Sequence, residues 1–277
     1  MTTLELIKYP RTPHLEGSRL QPGDEDLAQV PLAALRDPSV AQVAQVVQVV
    51  IEEKVDGANA ALRFDEAGRL HLQSRGHFLT GGGRERHFDL FKRWATAHQT
   101  RLFEVLGARF VVFGEWVYAK HTIFYDRLPA YFLEYDVLDT RGAHTWLSTA
   151  ARRRLLKDLP IVSVPILQEG PPPRSLAALR ALVGPSRYKS PAWREGLAAS
   201  AAAAGVDVAR AVAETDPEET MEGLYIKTET AEAVVGRYKW IRASYLQAVA
   251  DSGSHWLARP VVANGLAPGT DIFAGGR

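Results

Sequence analysis

Apolar and polar positions alternate in several separate stretches of the chain, and each stretch predicts an element. A Val-rich run from about Val43 to Ile51 predicts a buried strand, and it ends in Glu52, Glu53, Lys54, Asp56 and Gly57. Beyond the glycine, Ala58, Ala60, Leu62 and Phe64 share one parity while Asn59, Arg63 and Asp65 take the other, the pattern of a half-buried strand. "DEAG" then turns the chain into a second alternating run around Leu70 and Leu72, which predicts a hairpin. Phe88, Phe91 and Trp94 recur at helical spacing within 85–106. Two further strands are predicted over 109–118 and 130–139, a helix over 148–158, and a closing strand pair over 223–229 and 233–241. "EGPPPRS" (169–175) breaks the chain, and the Ala-rich region 176–215 reads as helical in pieces. Residues 1–40 are turn-rich and predict a clasp of loops and short elements, and "TGGGR" (80–84) predicts a flexible loop. The sum is an α+β chain in which meandering antiparallel strands are interrupted by a helical insert over about 145–221.

Composition narrows the chemistry. The chain has 277 residues, 46% of them hydrophobic and 23% charged, ordinary values for a globular protein. A formal charge of +1 gives no global basic field, so a polyanionic partner requires clustered cations. Cysteine is absent, which removes disulfides, thiolate metal sites and Cys nucleophiles. Glu5, Lys8 and Arg11 interrupt the N-terminal stretch and no apolar run approaches bilayer length, so a cytoplasmic protein without a membrane anchor is expected.

The informative residues are charges placed in or at the ends of strands: Lys54, Asp56 and Asn59, Arg75 in "QSRG", Glu115 in "VVFGEWV", Asp136 after Tyr135, Glu222 and Lys227 in "EGLYIK", and Arg237 and Lys239 two apart in "GRYKW". Residues two apart on a strand share a face. Burying unpartnered charges costs several kcal/mol each, so a chain that does this repeatedly is expected to line one polar cavity. Its cationic mix suits a polyphosphate with a metal.

In order, "KVDGAN", "SRG", "FGEWVY", "FLEYDVLD", "EGLYIK" and "RYKW" resemble the signature motifs of the covalent nucleotidyltransferases, the polynucleotide ligases and mRNA capping enzymes. The resemblance spans Lys54 to Lys239. Asn59, where DNA ligases and capping enzymes usually carry Arg, is similar to the ATP-dependent RNA ligases of the type of the second RNA ligase of phage T4 and the trypanosome editing ligases. Asp56, where those often have His, and Arg237, where Lys is common, depart from the pattern. Only 38 residues follow Lys239 and 53 precede Lys54, which on this reading leaves no room for an OB-fold domain or a nicotinamide-recognition domain.

The resemblance implies an ATP-grasp-like nucleotidyltransferase (adenylation) domain over 1–245, antiparallel sheets flanked by helices, and a short tail over 246–277. It implies an RNA ligase that joins 3′-OH and 5′-phosphate ends of RNA through lysyl-AMP on Lys54, in RNA repair, using ATP with Mg2+ or Mn2+. A separate end-healing kinase or phosphatase is a candidate partner. Lys54, Lys227 and Lys239 would be catalytic; Glu53, Asp56, Asn59, Arg75, Glu115, Tyr135, Glu222 and Arg237 would bind nucleotide, Tyr135 by stacking on adenine and Glu115 through the ribose hydroxyls; Glu222 and Asp136 would hold metal. A free lysine is almost wholly protonated at neutral pH, so Lys227, Lys239 and the metal are expected to depress the Lys54 pKa. His121 and Tyr125 are candidate substrate contacts, and Arg152, Arg153 and Arg154 candidate contacts to an RNA backbone. A capping-type guanylyltransferase, a DNA ligase and an inactive nucleotide- or RNA-binding module stay open as alternatives.

Overall fold

The computed structural model describes residues 4–20, 24, 26–27, 29–36, 48–251 and 260–274. The first half of the chain contains β1 (His14–Leu15), β2 (Gln29–Val30), β3 (Gln48–Lys54), β4 (Ala58–Phe64), β5 (Leu70–Ser74), α1 (Asp89–Ala97), α2 (Gln99–Leu106), β6 (Phe110–Trp116) and β7 (Phe132–Asp139). The second half contains β8 (Thr145–Trp146), α3 (Thr149–Leu156), β9 (Val162–Ser163), β10 (Ile166–Gly170), α4 (Leu176–Arg180), α5 (Trp193–Ala203), α6 (Val208–Ala213), β11 (Gly223–Glu229), β12 (Val234–Ile241) and α7 (Ala243–Asp251). Short 3-10 helices cover Leu32–Arg36 and Gly83–Phe88. The expected strand from Val43 begins at Gln48, and residues 43–47 lie outside the described residues.

The strands form two mainly antiparallel sheets. The first runs β10-β3-β11-β12-β1-β2, and the second runs β5-β4-β6-β7-β8 with β9 also pairing β7. The chain passes from one sheet to the other directly after Lys54, through Val55, Asp56 and Gly57. A side chain at Gly57 would meet Val117 at 2.7 Å and Glu115 at 2.8 Å, so only glycine fits where β4 enters beside β6. The return passage lies next to it, since the Glu53 amide donates to the Pro165 carbonyl between β9 and β10.

Apolar residues cover both sheets. Val49, Ile51, Leu224, Ile226, Tyr238 and Trp240 form one face of the first sheet and pack on Leu15, Leu32, Leu35 and Leu179. Ala58, Ala60, Leu62, Phe64 and Val112 pack on Phe91, Trp94 and Leu102 of α1 and α2. The spacing of Phe88, Phe91 and Trp94 therefore marks the packed face, although the helical stretch is broken into a 3-10 turn and two α-helices around His98.

β4 is not half-buried, as its alternation suggested. Ala61 is fully buried and Arg63 only 8% exposed. The N-terminal segment supplies the cover: Ile7 and Tyr9 pack against Ala61, Val111, Phe113 and Leu138, and Arg63 donates to the Glu5 carbonyl. No helix among the described residues is long and apolar enough to cross a membrane.

Candidate functional site

Strand register builds the site. In the first sheet Lys54 pairs Gly223, Glu52 pairs Tyr225, and Val50 pairs Lys227. Across the next strand pair, Tyr225 opposes Lys239 and Lys227 opposes Arg237. Opposed residues and those two apart share a face, so Glu52, Lys54, Tyr225, Lys227, Arg237 and Lys239 project together. The opposite face, Val49, Ile51, Leu224 and Ile226, is the apolar one. In the second sheet Asn59 opposes Glu115 across β4 and β6. The pairing of β6 with β7 slips between Phe113 and Gly114, leaving Tyr135 as an extra residue between Glu134 and Asp136. Such a bulge re-aims side chains. Here Glu134, Tyr135 and Asp136 all reach partners of the same polar cluster.

Carboxylates surround the nucleophile candidate. Lys54 Nζ lies 2.7 Å from Glu222 Oε1, and its side chain is 23% exposed. Burial pulls the Lys54 ammonium pKa down, but the Glu222 and Glu115 carboxylates outweigh it and hold it above the ordinary lysine value. This corrects the expectation that neighbouring cations strip Lys54 of its proton, because those cations are committed elsewhere. Lys227 is fully buried, 2.9 Å from Glu52 and 3.3 Å from Asp136, and donates to the Tyr135 carbonyl. Arg237 Nε donates to Asp136 at 2.9 Å. Lys239 donates to Asp24.

The carboxyls beside Lys54 shift in step. Burial pushes Glu222 up to about 7 against the pull of Lys54, and burial together with Glu222 and Asp56 pushes Glu115 up to about 8. A carboxyl whose folded pKa exceeds its unfolded value of about 4.5 binds more protons in the native state. Its contribution to stability is therefore complete below pH 4.5 and is lost as the pH rises through about 8. Glu115→Gln removes that titration. The melting temperature of the variant relative to wild type is expected to climb between pH 5 and 8.5, read by thermal unfolding in a pH series; parallel curves would contradict the assignment.

The structure brings together Lys54, Glu115 and Glu222 as one group, and Tyr135, Asp136, Lys227 and Arg237 as a second. Asn59 joins them by donating to the Tyr135 hydroxyl. Glu53, Asp56 and Arg75 lie differently. Glu53 faces away, with its carboxylate held by the Ser186 hydroxyl at 2.5 Å and the Arg187 amide. Asp56 accepts from the Thr122 and Ile123 amides and from the Tyr245 hydroxyl, so it anchors the loop after β6. Arg75 is exposed at the end of the β4–β5 hairpin. The candidate substrate contacts His121 and Tyr125 are buried, His121 3.8 Å from Asp56 and Tyr125 accepting from the Asp56 amide.

Several residues of this cluster escaped the sequence reading. Arg152 was an RNA-contact candidate, yet it is fully buried between Glu52 and Glu134. Arg153 and Arg154 are exposed and face Glu169 and Glu232. Tyr9 donates to Asp136 and touches the Tyr225 hydroxyl, and its ring meets that of Tyr135 edge-on at 5.2 Å. Tyr225 lay within a quoted motif, and its parity with Lys227 was a signal for it. Tyr9, Glu134 and Arg152 are joined to the site only by the fold.

The polar atoms of the cluster that are buried without a hydrogen-bond partner include Asn59 Oδ1 and Arg237 Nη2. Buried polar groups are almost always satisfied, so both fit a site completed by a polar ligand. A divalent cation fits the crowded Glu115 and Glu222 pair, whose raised pKa values it would relieve. Among the described residues no three acidic or histidine side chains are placed to cage a metal. That suits a cation carried largely by water and substrate phosphates, as magnesium is. Of the two expected metal ligands, Glu222 adjoins Lys54, while Asp136 is surrounded by Tyr9, Arg237 and Lys227.

Residues 47–241 match the family model described as RNA ligase. A comparison with curated proteins finds no match. Two solved mutants of Naegleria gruberi RNA ligase are similar in fold, each with a TM-score of 0.50. A lysine-to-alanine mutant with ATP and Mn shares 15% identity, over 87% of this chain and 62% of that one. A lysine-to-methionine mutant with AMP and Mn shares 17%, over 88% and 64%. The chain spans 54% to 64% of the length of the first solved chains it matches.

Proposed function

The chain belongs to the RNA ligase family by its match over residues 47–241, and on that premise we propose that it is an ATP-dependent RNA ligase acting through lysyl-AMP on Lys54. One observation carries the reading. Lys54 ends β3 at the junction of the two sheets, with its amine inside the site and on the same sheet face as Lys227, Arg237 and Lys239. A nucleophile fixed at a strand end meets the positional demand of in-line attack.

The triphosphate of ATP draws on cations that now hold carboxylates. Lys239, Lys227 and Arg237 share the sheet face of Lys54 and would stabilise charge building on the α-phosphate. Glu115 and Glu222 would hold a divalent cation, which would supply the positive charge that these carboxylates otherwise draw from the ammonium. Lys54 would then lose the pairing that keeps it protonated, and its proton would leave to water, to which its side chain is 23% exposed. The amine attacks the α-phosphorus, the N–P bond forms, and the bond to pyrophosphate breaks. In the next step AMP passes to an RNA 5′-phosphate, and in the last an RNA 3′-hydroxyl attacks and releases AMP. Tyr135 and Tyr225 offer ring faces for a base. Asn59 reaches the same wall and serves the later steps. A free cytoplasmic enzyme, working alongside an end-healing kinase or phosphatase, fits this reading.

The test is covalent labelling. Protein incubated with α-labelled ATP and Mg2+ or Mn2+ is expected to take up label that acid releases, and to pass it to a 5′-phosphorylated RNA that is then sealed to a 3′-OH strand. Label from GTP alone would instead indicate capping chemistry. No label with either nucleotide would leave only a binding module.

A further inference from the structure

The N-terminal clasp has no part in the chemistry described above, yet one of its side chains holds a cation of the site. β1 pairs with β12 in parallel, and this sets His14 beside Lys239. The Lys239 amide donates to the Pro13 carbonyl, and the Ser18 hydroxyl accepts from the Ile241 amide, so the clasp is fixed to the strand that carries Lys239. From this base Asp24 reaches the Lys239 ammonium.

The Asp24 carboxylate is itself held. His14, which is fully buried, meets Asp24 Oδ2 at 3.2 Å and turns its other ring nitrogen to the Ser18 hydroxyl at 2.7 Å. Arg11 Nη2 meets Asp24 Oδ1 at 3.1 Å and is held in turn by Asp26 at 2.7 Å. A carboxylate fixed on both oxygens presents its remaining lone pairs in one direction. Charge-assisted hydrogen bonds of this kind are directional and about twice as strong as neutral ones.

We propose that Asp24 is a positioning residue for adenylyl transfer, holding the Lys239 ammonium on the sheet face it shares with Lys54 through a clasp formed by His14, Ser18 and Arg11. The proposal rests on the ligase reading of the same site. Lys239 is a long side chain with several rotatable bonds, and it lies close enough to Lys54 to feel its like charge. Without a fixed acceptor its amine would swing away from Lys54. With Asp24 in place the ammonium stays where a phosphate oxygen can share it.

The consequence separates binding from chemistry. Asp24 carries a negative charge at an anion site, so its removal leaves ground-state attraction for ATP intact or stronger. Alignment in the transition state is what suffers. Asp24→Asn is therefore expected to lower the rate constant of lysyl-AMP formation about 10- to 100-fold, with KM for ATP unchanged or lower, and Asp24→Glu is expected to recover part of the rate. The measurement is single-turnover labelling with α-labelled ATP over a concentration series, with thermal unfolding of each variant to confirm that it is folded. A rate within twofold of wild type for Asp24→Asn would overturn the proposal, as would a raised KM with the rate retained, or a failure of Asp24→Glu to exceed Asp24→Asn. A wild-type protein that takes no label overturns the ligase reading itself, a result distinct from any of these.

Discussion

Lys54→Ala is expected to take up no label from α-labelled ATP under conditions that label the wild-type protein, a loss on the order of 10^4-fold or more. The reason is local. Among the described residues the amine of Lys54 is the one placed between Glu222 and Glu115 at the junction of the sheets. Lys227 is fully buried behind two carboxylates, and Lys239 is held by Asp24. Neither can substitute. Lys54→Arg is expected to be equally inactive, because a guanidinium does not lose its proton near neutral pH. Both variants should fold. Removing the cation raises the Glu222 and Glu115 pKa values further, so the two carboxyls become protonated in place of paired. ATP should still raise the melting temperature of Lys54→Ala, since Lys227, Arg237 and Lys239 remain. Covalent label on Lys54→Ala would refute the assignment of the nucleophile.

The second large effect falls on stability. Arg152 is fully buried, with one guanidinium nitrogen on Glu52 and another on Glu134 at 2.7 Å. Arg152→Ala leaves two buried carboxylates short of a cation, and breaking a buried pair in this way costs about 3–5 kcal/mol. For a chain of this size that corresponds to a fall in Tm of roughly 10 °C. The variant should also lose labelling rate, because Glu52 is 2.9 Å from Lys227 and turns toward whichever cation remains. Combining Arg152→Met with Glu134→Gln removes one charge of each sign, leaves Glu52 to Lys227 and is expected to restore much of the stability. Arg153→Ala, which breaks only an exposed contact with Glu169, serves as the control and should shift stability by no more than about 0.5 kcal/mol. Equal melting temperatures for Arg152→Ala and Arg153→Ala would show that the buried bridge contributes nothing.

Strand-borne features were legible in the sequence because their signal is local. The parity of Ala58 to Phe64, the turn at "DEAG" and the pairing of Arg237 with Lys239 all follow from a two-residue period, and the structure has those strands. The grouping of Lys54 with Glu115 and Glu222 followed from motif order. The electrostatics did not. Whether a lysine sees cations or carboxylates depends on which partners the fold supplies, and Glu52, Asp136 and Asp24 had already engaged the cations expected to act on Lys54. Arg152 looked like one of three consecutive surface arginines, yet helical rotation points it inward while Arg153 and Arg154 face out. Tyr9 was hidden in a turn-rich stretch with no periodicity. The same stretch covers the second face of β4, which alternation alone read as exposed.

The internal pairing of the site's cations bears on how a nucleic acid would reach the ligase proposed above. Lys54, Lys227, Arg237 and Lys239 each adjoin an acidic side chain, and the whole chain carries a formal charge of only +1. The field they cast beyond the surface is that of short dipoles, which fades within a few ångströms and gives little electrostatic steering of a distant polyanion. For the ligase proposed above, an incoming strand end would therefore be found by diffusion and retained by short-range contacts, and its capture rate is expected to respond only weakly to ionic strength.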